Sequence, residues 1–316
     1  NNGSIGTITN SLGALISGGT GIVNNGQIAS IINAGSITSG GLQAGSSNNA
    51  LTNNGSIGAL SNSGRMDYVS NGTLGSMGTV ANSGAMVNLS NKGLIASINN
   101  TGTIAGGTTN DVGIGNRGSI GVLTNSGLIS AAQAGSAGLG NVGTIGSLTN
   151  SAGGTLSGAS FGAGNLGSIG TLTNAGLITG AQGLQLGGSF FTLSGPGTIG
   201  AFNNSGTITG SVGALSLISG SIGTITNTGL IAGNITNQIA QPLNIAGGTG
   251  GTFGTLSGFG GSIGLITDTV GALNLSGNLL IGDNFNVAGQ TVSNSGLLSL
   301  TAPITTWDEA IPLGNG

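Results

Sequence analysis

Residues 118–127 read GSIGVLTNSG, and the same phrase returns as GSIGTLTNAG at 167–176 and GSIGTITNTG at 220–229. Its third residue is aliphatic and serves as an anchor. Looser copies run from one end of the chain to the other, anchored at Ile5, Ile28, Ile57, Met77, Ile95, Ile120, Ile145, Ile169, Ile199, Ile222 and Ile263. A phrase repeated this often along 316 residues marks a repeat architecture before it marks anything else.

Within the phrase some places are fixed. Gly stands two residues before every anchor, and Gly or Ala one residue after it. The residue three places on is always apolar. Five places on stands Asn, at Asn10, Asn33, Asn62, Asn82, Asn100, Asn125, Asn150, Asn174, Asn204 and Asn227, with Asp268 in the last copy. A strand alternates its side chains, so apolar residues three apart face the same interior only if the chain bends between them. The small residue after the anchor supplies that bend. The third and fifth places then share a face, which turns the Asn inward beside a corner.

A buried amide without a partner costs a few kcal/mol. Stacking one Asn about 4.8 Å above the next lets each amide pair with its neighbour and offsets that cost. The recurrent Asn therefore predicts a ladder. A second, partial ladder is expected at Asn1, Asn24, Asn53, Asn91, Asn116, Asn141 and Asn165, each followed two residues later by the fixed Gly.

Most anchors recur every 20 to 25 residues, enough for three short strands joined at Gly and Asn corners with longer loops inserted at one corner. The predicted fold is an all-β, parallel β-solenoid of roughly 12 to 14 coils, its right hand taken by analogy, forming a rod on the order of 60 Å long. Residues 1–270 make the regular solenoid. From 271 to 302 the phrase gives way to alternation (Leu273 and Leu275, Leu279 and Ile281, Phe285 and Val287), expected to continue the stack as less regular coils. Residues 303–316, with Pro303, Trp307, Asp308, Glu309 and Pro312, read as a terminal cap or tail. Phe190 and Phe191 are expected to fill a wider part of the core. The first copy, NNGSIGTITN, is as regular as any interior one, so the first coil reads as uncapped, with further coils or another chain expected to cover it.

Composition limits the chemistry. Only 3% of residues are charged, three basic and six acidic, while Gly supplies 70. With no His and no Cys, the usual general base and the thiol nucleophile are both missing. Carboxylates alone can cleave glycans, but Asp67, Asp111, Asp268 and Asp283 are widely separated, and Asp308 and Glu309 are adjacent, which sends them to opposite faces of a strand. No oxygen-ligand loop for a metal is visible, so no metal, cofactor or catalytic residue is assigned. Arg65, Lys92 and Arg117 are spread out and form no basic patch for nucleic acid. No apolar run approaches the length of a membrane helix. Thr-x-Thr pairs at Thr7/Thr9, Thr171/Thr173 and Thr224/Thr226 are interrupted by Ser30/Ile32, Ala59/Ser61 and Thr79/Ala81, which argues against a continuous ice-binding array.

GSIGTLTNAGLITG (167–180) and GTIGAFNNSGTITGSV (197–212) resemble the β-helical passenger domains of bacterial autotransporters, the type V secreted surface proteins that include adhesins. The resemblance implies secretion and display on the bacterial cell surface, with other cell surfaces, matrix glycans or proteins as partners. It carries over no individual functional residue. The expectation is a non-enzymatic adhesion, aggregation or scaffold module. Its alternatives are a subunit that stacks head to tail with copies of itself into a filament, and a β-helical polysaccharide-acting enzyme.

Overall fold

The computed structural model describes residues 1–40, 49–107, 112–190 and 193–300. Most of the 40–50 insertion, Asp111, Phe191 and the whole 303–316 segment with Trp307, Asp308 and Glu309 lie outside the described residues. The chain winds as a parallel β-solenoid with three sides. Side one is the phrase itself: Ser4–Asn10, Gln27–Asn33, Ser56–Asn62, Ser76–Asn82, Leu94–Asn100, Ser119–Asn125, Thr144–Asn150, Ser168–Asn174 and Gly197–Asn204 pair in sequence. Four further rungs (Ile225–Asn227, Leu243–Ala246, Leu273–Ser276 and Val292–Asn294) complete the column, making 13 coils among the described residues.

All rungs of side one pair in parallel, and from the first to the tenth they are in register from anchor to Asn, as in Ile120↔Ile145, Leu123↔Leu148 and Asn125↔Asn150. Anchor, third and fifth places are buried in the interior coils, and the places between them are turned out. The ladder pairing skips the residue after the anchor, where the strand bends. In-register stacking of like on like is what a repeat sequence makes cheap: each Ile meets another Ile, and each amide another amide.

The Gly two places before the anchor has a steric cause. A methyl on Gly118 would overlap the carbonyl oxygen of Gly93 in the coil beneath, one on Gly143 that of Gly118, and one on Gly167 that of Gly143. None of these three uses a positive φ. Here close coil-to-coil approach, not left-handed backbone, excludes a side chain. The corner after the ladder Asn is crowded in the same way, with Gly127 over Gly102 and Gly102 over Gly84.

Sides two and three are either one bent strand, as in Arg65–Asn71, Ala85–Asn91 and Asn278–Asn286, or two strands separated by an insertion, as in Gly254–Ser257 and Gly264–Asp268. Insertions are not confined to one corner. Many open between sides two and three, but Gly188–Phe190 and Leu193–Gly195 pair antiparallel as a small two-stranded element between sides three and one. Where a one-strand coil neighbours a coil with an insertion, a polar residue at its bend fastens the loop base. Asp67 Oδ2 accepts the Ser39 N–H at 3.3 Å, Asn88 Nδ2 donates to the Val112 carbonyl at 2.5 Å, and Asp283 Oδ1 accepts the Gly264 N–H at 3.0 Å.

Two sequence expectations are corrected here. Ile263 is not an anchor: it lies in the turn before side three and is 44% exposed. The flanking Gly260 and Gly261 adopt positive φ (64° and 79°), so GSIG at this point is a turn, and side one of that coil is Leu243–Ala246 instead. Phe190 does not fill the core. It is buried on the outer surface of side three, over Gly140 and Gly164, with its ring centroid 6.1 Å from that of Phe161.

The 271–300 stretch continues the stack. Leu273 and Leu275 face inward on side one, Leu279 and Ile281 on side two and Phe285 on side three, all buried.

Candidate functional site

The side chains that recur most strictly form two internal columns. The first joins Asn10, Asn33, Asn62, Asn82, Asn100, Asn125, Asn150, Asn174, Asn204 and Asn227 without a gap. Each Nδ2 donates to the next Oδ1 at 2.6 to 2.9 Å. The same Nδ2 also reaches backbone: Asn125 donates to the Gly127 and Thr155 carbonyls, both at 3.1 Å. Each amide thus ties its own corner to the coil above.

The second column, at the corner between sides three and one, runs Asn1, Asn24, Asn53, Asn71, Asn91, Asn116, Asn141 and Asn165 with spacings of 2.7 to 2.9 Å. Asn71 is a member that spacing alone misses, because three residues, Gly72-Thr73-Leu74, stand between it and the fixed Gly75 where the other members have one. Above Asn165 the column changes to Leu186 and Leu217, then returns to polar at Asn237. Asp268 stands here, not at the end of the first column. Its Oδ2 accepts Asn237 Nδ2 at 3.0 Å, and its Oδ1 accepts the Val270 and Gly271 N–H groups at 3.4 and 2.9 Å. The displaced phrase at Ile263 accounts for the shift.

The acids are placed separately. Asp67 is buried and forms a 2.9 Å ion pair with Arg65, whose side chain is half exposed. Asp268 and Asp283 lie on adjacent coils, but Asp283 is in register with Gly264. The two acids are therefore four positions apart along the strand, about 13 Å, wider than the separation of paired glycosidase carboxylates. Burial raises the Asp283 carboxyl to about 7, against the lowering effect of the Gly264 hydrogen bond. Among the described residues no three His, Cys, Asp or Glu side chains gather into a metal-holding group. Lys92 and Arg117 occupy equivalent corners of successive coils, their N–H groups donating to Asn71 and Asn91 carbonyls.

The outward face of side one is the most regular surface. One column reads Thr7, Ser30, Ala59, Thr79, Ser97, Val122, Ser147, Thr171 and Ala201, in register throughout. Its neighbour reads Thr9, Ile32, Ser61, Ala81, Asn99, Thr124, Thr149, Thr173, Asn203 and Thr226. Neither column holds a charge. Both are short-chained and mostly hydroxyl-bearing, so the face is flat and studded with donors and acceptors at strand spacing, about 4.8 Å along the rod.

No helix among the described residues is long and apolar enough to cross a membrane. No protein-family model matches the chain, and neither a curated protein nor a solved structure matches it. The likeness to autotransporter passengers stands on repeat style alone.

Proposed function

We propose that the protein is a non-enzymatic, extracellular or cell-surface solenoid of the autotransporter-passenger kind. It works as an adhesion, aggregation or scaffold module by presenting side one to other surfaces. The observation that carries this reading is the pair of uncharged, mostly hydroxyl-bearing columns that stay in register along side one. A rigid array of short polar side chains suits a flat, neutral, hydroxyl-rich partner such as a matrix glycan, because many weak hydrogen bonds add along the rod with little ordering entropy. Burial of Asp67, Asp268, Asp283 and the ladder amides at corners and loop bases supports a structural role for them in place of a chemical one.

The test is retention on insoluble neutral polysaccharide, comparing the unaltered protein with the pair Thr149→Lys and Thr171→Lys. Both side chains point outward, so the fold persists and its circular dichroism is unchanged. We expect retention by the unaltered chain and its loss in the variant. Equal retention by both, or release of sugar fragments by either, overturns the reading.

A further inference from the structure

Among the described residues only three buried side-chain oxygens have no hydrogen-bond partner: Gln182 Oε1, Asp283 Oδ2 and Asn284 Oδ1. Two of the three belong to neighbouring residues at one bend of the twelfth coil. Asp283 is fully buried. Its strand neighbours on the inward side are Ile281 and Phe285, in register with Leu256 and Ile266 of the coil beneath. Space for the carboxyl exists because Gly264 beneath it has no side chain; a methyl there would overlap Asp283 Oδ1. The carboxyl therefore receives one hydrogen bond, from the Gly264 N–H at 3.0 Å, on the oxygen that faces the 258–264 corner.

A carboxylate in this position has no counter-charge. The sequence contains no Lys, Arg or His after Arg117. The strands Gly254–Ser257, Gly264–Asp268, Asn278–Asn286 and Leu297–Leu300 and the Phe259–Gly261 turn carry one other ionisable group, Asp268. Both oxygens of Asp268 are already occupied by Asn237, Val270 and Gly271. A neutral carboxylic acid suits the bend better than an ion. Burying the group as a neutral acid costs far less than burying it as an ion with one hydrogen bond.

We propose that Asp283 is a protonation-controlled latch: as a neutral acid it fastens the twelfth coil to the 258–264 corner of the eleventh, and loss of its proton to solvent loosens that junction. The sign follows from linkage. Opened to water, the carboxyl titrates near its ordinary value, while in the closed coil burial holds it protonated to about pH 7. Opening therefore becomes easier as pH rises between those two values, about tenfold per pH unit, and levels off above the upper one. The terminal coils are locked in mild acid and loosened at neutrality.

Amide hydrogen exchange from pH 4 to 8.5, corrected for the chemical rate, tests this on the intact chain. Exchange in Asn278–Asn286 is read against that in Ser119–Asn125 of the same molecule. The expected result is relative protection falling by about tenfold per unit up to pH 7 and then flat, with the slope abolished in Asp283→Asn. A flat wild-type profile, or the same slope in Asp283→Asn, overturns the latch. Should the variant not fold, carbon-13 titration of the Asp283 carboxyl in the unaltered chain decides: a midpoint in the ordinary Asp range overturns the proposal, and one near neutrality supports it. Restoration of protection at pH 8 by calcium ions in the unaltered chain would also overturn it, by assigning the orphan oxygens to a cation.

Discussion

At the scale of single residues, the buried amides outweigh the charges. Asn125 uses its Nδ2 in three directions and its Oδ1 in a fourth, accepting from Asn100 at 2.8 Å. Leu at this place would fill the volume but leave the Asn150 Oδ1 without its donor, take the Asn100 amide's side-chain partner and remove the amide bonds to the Gly127 and Thr155 carbonyls. Asn125→Leu should therefore lose about 1 to 3 kcal/mol in chemical melts. Lys92→Ala, on an exposed corner, should change stability by less than about 0.5 kcal/mol. Equal midpoints for the two variants would contradict the ladder's energetic role. The first column was legible in the sequence because its offset from the anchor never varies up to Asn227. Asn71 and Asn237 were not legible: the first is hidden by two extra corner residues, and the second follows two rungs where Leu186 and Leu217 interrupt the column. The fixed Gly was visible as a pattern, but its cause was not, since overlap with a carbonyl one coil away is a property of stacking.

At the scale of elements, coils tolerate variation wherever it leaves the inward residues in register. Insertions enter at corners, and a polar side chain from a neighbouring coil (Asp67, Asn88 or Asp283) fastens their base. The antiparallel pair Gly188–Phe190 and Leu193–Gly195 shows a different device. It lays Phe190 across a stripe of outward glycines, Gly140 and Gly164, whose missing side chains make room for a ring. Sequence reading put this ring in the core, because an aromatic in an apolar repeat looks like a core filler and nothing local tells which surface it covers. The two locations predict different outcomes. Phe190→Ala should cost about 2 to 4 kcal/mol of local docking energy, judged from the buried ring area. Hydrogen exchange should then show loss of protection confined to Gly188–Phe190, Leu193–Gly195 and the side-three strands beneath them, with the Asn columns unchanged. Uniform loss along the rod would place the ring inside after all.

At the scale of the whole molecule, stability is a sum of similar coil-to-coil interfaces, so cohesion does not depend on any one charge or loop. With 13 coils the described rod is roughly 60 Å long, within the range that the repeat count predicts. Low charge follows from the same design: identical side chains recur at strand spacing, and a charged one stacked on itself would repel along the full length. The central claim is that sequence repeats are successive, in-register rungs of one parallel stack. The absence of cysteine makes a cross-linking measurement clean. Thr124 and Thr149 are outward partners on adjacent coils, and Thr173 is one coil further on. In-register rungs lie about 4.8 Å apart, within disulfide reach, whereas two rungs lie near 10 Å, beyond the limit of about 7 Å. Under mild oxidation Thr124→Cys with Thr149→Cys should close quantitatively within the monomer, and Thr124→Cys with Thr173→Cys should remain reduced. Closure of the second pair, or of neither, would contradict the stack.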